Sequence, residues 1–289
     1  MLLGFEECEV QAQRLAKALG RSYARVDVHE FPDGESKVTL PDKLPAHVVF
    51  CRSLDRPNNK LIELLLAAST ARQLGAQRLT LVVPYLCYMR QDTAFVAGEA
   101  ISQTIIGQFL ADIFDDVITV DPHLHRTHNL KDAIPVTNAV ALSATTAMCD
   151  FLLSHPDVIL LGPDSESVQW VRSIAEVSGL AYGVAEKLRL GDREIQITLP
   201  DLDLTEKSVV LVDDVISSGE TMAMAAKCSF EKGAKRVDVL VTHALFAQGA
   251  IERFRQVGIG EVWSTDSIPH SSNCISLAGL FAEAVHVIT

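Results

Sequence analysis

The chain has 289 residues, 48% of them hydrophobic and 21% charged, with a formal net charge of −12. That composition suits a globular protein with a sizeable core, long enough for two domains of about 150 residues or one large one. So acidic a balance excludes nonspecific nucleic-acid binding, which needs clustered Lys and Arg. It leaves room for anionic metabolites met by a few local cations and Mg2+.

The six cysteines (Cys8, Cys51, Cys87, Cys149, Cys228, Cys274) are scattered with no CxxC pair and read as reduced thiols, hence a reducing compartment. Met1–Glu7 has no signal-peptide pattern, and no apolar stretch approaches a bilayer span. The expectation is a cytoplasmic protein without a membrane partner.

In chain order, Phe31-Pro32-Asp33-Gly34-Glu35 reads as a Pro-Asp-Gly turn between extended segments. An exposed Phe beside two carboxylates also suits stacking on a base and approach to an amino group. A strand at 48–51 leads into Arg52, which either reaches an anion or a neighbouring subunit, or fixes its own loop with Asn59 capping the next helix, 59–74. The strand at 79–83 runs into Pro84–Asp92, where Arg90 offers a bidentate phosphate donor beside Gln91 and Asp92. After a helix at 100–112, the strand 117–120 ends in Asp121-Pro122-His123-Leu124-His125-Arg126-Thr127-His128. Its three histidines do not have a recognisable zinc spacing. A helix is expected over 140–153.

The strand 158–161 is followed by Gly162-Pro163-Asp164-Ser165-Glu166-Ser167 and a helix at 166–178, so Asp164 has the position of a cap. After a strand at 181–185 come Lys187 and Arg189, two apart and therefore on one side of an extended segment. The strand 209–212 runs into Asp213-Asp214-Val215-Ile216-Ser217-Ser218-Gly219-Glu220-Thr221 and the helix 219–232. A buried strand, two carboxylates and a small, hydroxyl-rich loop at a helix start describe polyol recognition beside a phosphate cradle. The ligand they fit is a phosphorylated pentose. A strand at 237–241, a helix at 247–257 and a strand at 262–264 complete the pattern.

The alternation of apolar strands and amphipathic helices predicts an α/β fold with parallel sheets flanked by helices. A domain boundary is expected around 135–145. Polar residues gather at many strand ends, where doubly wound sheets bind ligands. The chain contains neither a GxxxxGK[ST] loop nor a convincing GxGxxG.

Taken together, Phe31–Glu35, Pro84–Asp92, Asp121-Pro122-His123, Lys187-Leu188-Arg189 and Asp213–Thr221 resemble the ribose-phosphate pyrophosphokinase family along nearly the whole chain. The resemblance implies two phosphoribosyltransferase-like domains, 1–140 (completed by 277–289) and 141–276. It implies transfer of pyrophosphate from ATP to ribose 5-phosphate, with Mg2+ as cofactor and homo-oligomeric, dimer-based assembly. By the same resemblance Phe31, Asp33, Gly34, Glu35, Arg90 and Gln91 bind ATP, and His123 and Asp164 hold metal. Lys187 and Arg189 are catalytic, opening a mobile loop. Arg189, Asp213, Asp214, Ser217, Ser218, Gly219, Glu220 and Thr221 take ribose 5-phosphate.

His125 and His128 fall outside the match. Where many members carry Asp-Thr-x-Gly-Thr, this chain has Ser217-Ser218-Gly219-Glu220-Thr221, so Glu220 must point outward to avoid repelling a phosphate. Thr93-Ala94-Phe95 replaces residues that are often charged. A noncatalytic regulatory paralogue and a phosphoribosyltransferase are the alternative readings.

Overall fold

The computed structural model describes residues 1–124, 126–127, 129–189 and 195–289, with the backbone alone for 187–189, 195 and 196. One compact unit comprises Met1–Ser143, Ser267–Pro269 and Leu277–Thr289, and the other Ala144–Asp266 with His270–Ser276.

Unit 1 contains β1 (Leu2–Gly4), α1 (Glu9–Ala18), β2 (Tyr23–Arg25), β3 (Asp27–Glu30), β4 (Ser36–Thr39), β5 (His47–Cys51) and α2 (Pro57–Gln73). It continues through β6 (Arg78–Val82), α3 (Ser102–Ile113), β7 (Asp116–Val120), the single turn α4 (Leu130–Ala133) and β8 (Asn138–Leu142). Six of these strands form a parallel sheet in the order β2-β1-β5-β6-β7-β8, while β3 and β4 make a separate antiparallel ribbon.

Unit 2 runs through α5 (Thr145–Leu152), β9 (Val158–Gly162), α6 (Val168–Ser178), β10 (Tyr182–Val184), β11 (Glu186–Arg189), β12 (Ile195–Thr198) and β13 (Ser208–Val215). It ends with α7 (Glu220–Glu231), β14 (Arg236–His243), α8 (Ala250–Val257), β15 (Val262–Thr265) and β16 (Asn273–Ile275). Its parallel sheet has the order β10-β9-β13-β14-β15-β16, and β11 with β12 forms an antiparallel ribbon. The last helix, α9 (Ala278–Ile288), belongs to unit 1 and packs on α1.

Central strands buried on both faces explain the near-continuous apolar runs. Val209, Val210, Leu211 and Val212 in β13, and Val48, Val49 and Phe50 in β5, are fully buried.

Two expectations change. Residues 140–142 belong to β8, not to a helix over 140–153, because Asn138–Leu142 pairs along Asp116–Val120 as an edge strand. A short apolar run does not distinguish the two periods. The β13 strand also extends through both aspartates to Val215, which pairs with His243.

A buried polar chain closes the base of unit 1. Arg21 donates to Nδ1 of His47 (3.2 Å), so His47 donates from Nε2 to Thr80 (2.9 Å), and Thr80 donates to Asp116 (2.8 Å). Asp116, fully buried, also accepts from Nε and Nη2 of Arg78 (2.8 and 3.0 Å) and from Asn138 (2.6 Å). Arg78 donates in turn to the Ile288 carbonyl (2.7 Å), fastening α9. Burial, then the charges of Arg21 and Arg78, lower the pKa of His47 to about 4, in keeping with its neutral role in the chain.

The six cysteines are free thiols, and burial pushes Cys8 up to about 11 and Cys87 up to about 12. Among the described residues no helix is long and apolar enough to cross a membrane.

Candidate functional site

In unit 2 the strand order turns around β9. Its successor β10 lies on one side and β13 on the other. A crevice outside the carboxyl ends of the strands forms at such a point. Asp164 stands just beyond β9 and Asp213 lies in the adjacent β13, where Leu161 and Leu211 are register partners.

Asp164 does cap the following turn, accepting from the Glu166 N–H (3.1 Å), while Ser167 donates from Oγ to the Asp164 carbonyl (2.6 Å). Asp213 accepts from the Asp214 N–H (2.9 Å), and Asp214, almost fully buried, from the Val215 N–H (2.7 Å). Burial, and then the charges of Asp214 and Asp164, raise the Asp213 carboxyl well above the ordinary carboxylate range. Three carboxylates share one field here, and a cation or a set of sugar hydroxyls would relieve it.

The loop after β13 turns at Gly219, which begins α7 with a left-handed φ of 74°. A Cβ there would also lie 2.7 Å from the Phe254 ring, so both backbone and packing demand glycine. Ser217 and Ser218 are exposed, Gly219 is buried and Thr221 half-buried in the first turn of α7. Glu220 points outward: its side chain is 59% exposed and pairs with Arg253 at 3.8 Å.

Lys187 and Arg189 lie on β11 at alternate positions, opposite Ile197 and Ile195 of β12. The mobile loop expected after Arg189 begins outside the described residues, as do His125 and His128.

In unit 1, Phe31–Glu35 is the tip of the β3–β4 ribbon. It is closed by Phe31 N–H to Glu35 O and Gly34 N–H to Phe31 O (both 2.8 Å), with Asp33 accepting from the Glu35 N–H (3.2 Å). Gly34 has a φ of 88°. Phe31 is 40% exposed and meets His29 edge-on at 5.0 Å. Ser36 donates to Glu63 of α2 (3.1 Å), which seats the ribbon.

Arg90 and Gln91 lie beyond β6 and His123 beyond β7, on adjacent strands. The two loops are tied together: Asp92 accepts from the Arg126 backbone N–H (3.1 Å) and guanidinium (2.7 Å). Buried Gln103 accepts from Thr127 (2.8 Å) and donates to the Met89 carbonyl (3.3 Å). Burial opposes ionisation of Asp92, but the two Arg126 bonds prevail and its pKa falls. Ser102 donates to Gln91 (3.1 Å), whereas Arg90 is exposed. Both loops carry a left-handed non-glycine residue, Tyr88 (φ 61°) and Asp121 (φ 37°), strain of the kind that collects at ligand sites. Among the described residues no hydrogen bond or ion pair joins Phe31–Glu35 to Arg90 or Gln91.

Arg52 is 3% exposed and lies 3.8 Å over the Phe5 ring. It donates to Glu7 (2.7 Å), to Glu63 and to the Lys60 carbonyl (3.2 Å), so it fixes its own surroundings. The cap position of α2 is Arg56, not Asn59.

A family described as the N-terminal domain of ribose phosphate pyrophosphokinase matches residues 1–113, and one described as the phosphoribosyl synthetase-associated domain matches 196–288. The ribose-phosphate pyrophosphokinase of Methanopyrus kandleri is 33% identical over 94% of this chain and 94% of its own length. That of Saccharolobus solfataricus is 35% identical over 89% of each chain. The chain belongs to the ribose-phosphate pyrophosphokinase family.

The fold agrees. The crystal structure of phosphoribosylpyrophosphate synthetase from Mycobacterium smegmatis superposes with a TM-score of 0.86, at 24% identity, over 100% of this chain and 98% of that one. Within this pyrophosphokinase frame, sequence reasoning missed Gln103, the Asp92–Arg126 tie, Arg253 and Phe254. Each acts through tertiary contact, and none stands in a local motif.

Proposed function

We propose that the protein transfers the β,γ-pyrophosphoryl group of Mg-ATP to the 1-hydroxyl of ribose 5-phosphate, giving phosphoribosyl pyrophosphate and AMP. The observation that carries this reading is the junction, at the ends of β9 and β13, of a carboxylate group suited to a diol with a glycine-hinged loop suited to a phosphate. The family's presence along nearly the whole length supports it and disfavours a phosphoribosyltransferase. The retained Lys187-Leu188-Arg189 segment disfavours a silent paralogue.

In this reading Asp213 and Asp214 bind the ribose hydroxyls, and the N–H and hydroxyl groups of Ser217–Thr221 hold the 5-phosphate. Phe31 stacks on the adenine, Asp33 and Glu35 meet its polar edge, and Arg90 and Gln91 hold the triphosphate. The 1-hydroxyl oxygen forms a bond to the β-phosphorus while the bond to the oxygen shared with the α-phosphorus breaks. The hydroxyl proton is released and AMP leaves with the bridging oxygen. Catalysis then consists of positioning and of neutralising charge that moves among phosphate oxygens. Lys187 and Arg189 supply that neutralisation.

The donor set fits Mg2+. Asp164 and Asp213 bring hard carboxylate oxygens to the ends of the adjacent strands β9 and β13, and Mg2+ needs only one or two carboxylates beside substrate phosphates. Asp164 would hold Mg2+ at the ribose 5-phosphate side and His123 the Mg2+ that accompanies ATP, and when bound the metal supplies further charge neutralisation at the phosphates. ATP and ribose 5-phosphate are the partners, with a homo-oligomer in the cytoplasm as the expected form.

The test is an AMP-release assay with ATP, ribose 5-phosphate and Mg2+, repeated with excess chelator. Turnover that the chelator abolishes is expected. Folded protein without turnover overturns the reading.

A further inference from the structure

The segment 247–254 grips the Ser217–Gly219 loop from outside. The Ala247 N–H donates to the Ser217 carbonyl (2.9 Å), and Nη1 of Arg253 donates to the Ser218 carbonyl. The Phe254 ring fills the space beside Gly219, and Nη2 of Arg253 lies 3.8 Å from Oε1 of Glu220.

A trans peptide is planar, with its C=O and N–H pointing in opposite directions. Drawing the Ser217 and Ser218 carbonyls toward α8 therefore turns the N–H groups of Ser218 and Gly219 away from it. Successive N–H groups presented on one side make an anion-binding concavity. The same guanidinium engages Glu220, the one carboxylate in the loop.

We infer that Arg253 is a positioning residue for 5-phosphate binding. It fixes the Ser218–Gly219 peptide so that its N–H faces the phosphate, and it holds the Glu220 carboxylate off the same anion. This rests on the proposed pyrophosphokinase reading, since the anion is the 5-phosphate of the acceptor. A planar fork serves both contacts at once, which a lysine would not. The side chain of Arg253 is 37% exposed, so its role need not coincide with core stability.

The test is titration calorimetry of the full chain with ribose 5-phosphate, together with steady-state KM values for both substrates and a thermal melt. The variants are Arg253→Ala, Arg253→Gln, Glu220→Gln and Arg253→Ala with Glu220→Gln. Arg253→Ala should weaken ribose 5-phosphate binding by about tenfold or more, as loss of a charge-assisted bond does, with the KM for ATP within about twofold. Adding Glu220→Gln should restore part of that loss, because the released carboxylate no longer repels the phosphate. If the alanine variant melts early, Arg253→Gln carries the test with the same expectation.

Wild-type affinity in either Arg253 variant overturns the inference, and so does an equal loss for both substrates. Lack of recovery in the double variant overturns the part assigned to Glu220. Wild-type protein that does not bind ribose 5-phosphate at all overturns the functional reading instead.

Discussion

Asp213 of β13 lies beside Asp214, and burial first, then the charges of Asp214 and of Asp164 just beyond the neighbouring strand β9, raise its carboxyl well above the ordinary range. A folded protein holds such like charges together only where something else overrides their repulsion. Asp213→Asn should therefore raise the Tm of the ligand-free protein by a few degrees. It should also weaken ribose 5-phosphate binding by about 10–100-fold, the range for a lost hydrogen bond to a charged group. Thermal melts and calorimetry on the same samples check the trade. A fall in both stability and affinity would mean that the carboxylate cluster is structural.

Gly219→Ala tests the loop's geometry. The left-handed φ costs a non-glycine residue about 1 kcal/mol or more, and the added Cβ presses on the Phe254 ring, a further cost of about 1–3 kcal/mol. Denaturant unfolding should show a loss of about 2–4 kcal/mol, and the KM for ribose 5-phosphate should rise more than that for ATP.

Lys187→Ala should lower turnover by about 100-fold or more, the scale for removing one donor aimed at developing charge. Ribose 5-phosphate binding should be largely spared. AMP release measured beside calorimetry separates the two effects, and near-wild-type turnover would remove Lys187 from the catalytic assignment.

The pH dependence of stability has a defined sign at His47. Its folded pKa, about 4, lies below the ordinary 6.5. Protons then bind the unfolded chain preferentially between those values, so stability falls as pH drops from 6.5 toward 4. At about 1.4 kcal/mol per pKa unit the effect is at most about 3 kcal/mol. Replacing His47 with Gln should flatten that slope in denaturant titrations between pH 7 and 4, and an unchanged slope would assign the loss to other groups.

Much of this was legible beforehand, and the misses have physical causes. The strands of β5, β6, β7, β9, β13 and β14 stand out because burial on both faces makes them continuously apolar. The ribbon β3–β4 does not: β3 is exposed along its whole length and carries Asp27, His29 and Glu30. Residues 140–142 read as the start of the helix expected over 140–153 because so short an apolar run does not fix a period.

Motif residues were readable where the chemistry is local, as at Asp213–Thr221. Gln103 and Arg253 act on segments 14 and 35 residues away in sequence, and no spacing announces that. Arg52, left between an anion ligand and a loop anchor, proved to be an anchor for Glu7 and Glu63.

The fastening of Ile288 to Arg78 bears on how the chain is made. Most of unit 1 precedes unit 2 along the chain, yet its polar base is not complete until α9 follows unit 2. Domains tend to fold as units during synthesis, N-terminal first. Here the order is reversed for completion: the sheet of unit 2 can close while unit 1 still waits for α9. A nascent chain halted shortly before α9 would thus expose apolar surface on α1 and β7, the places where a chaperone would find it.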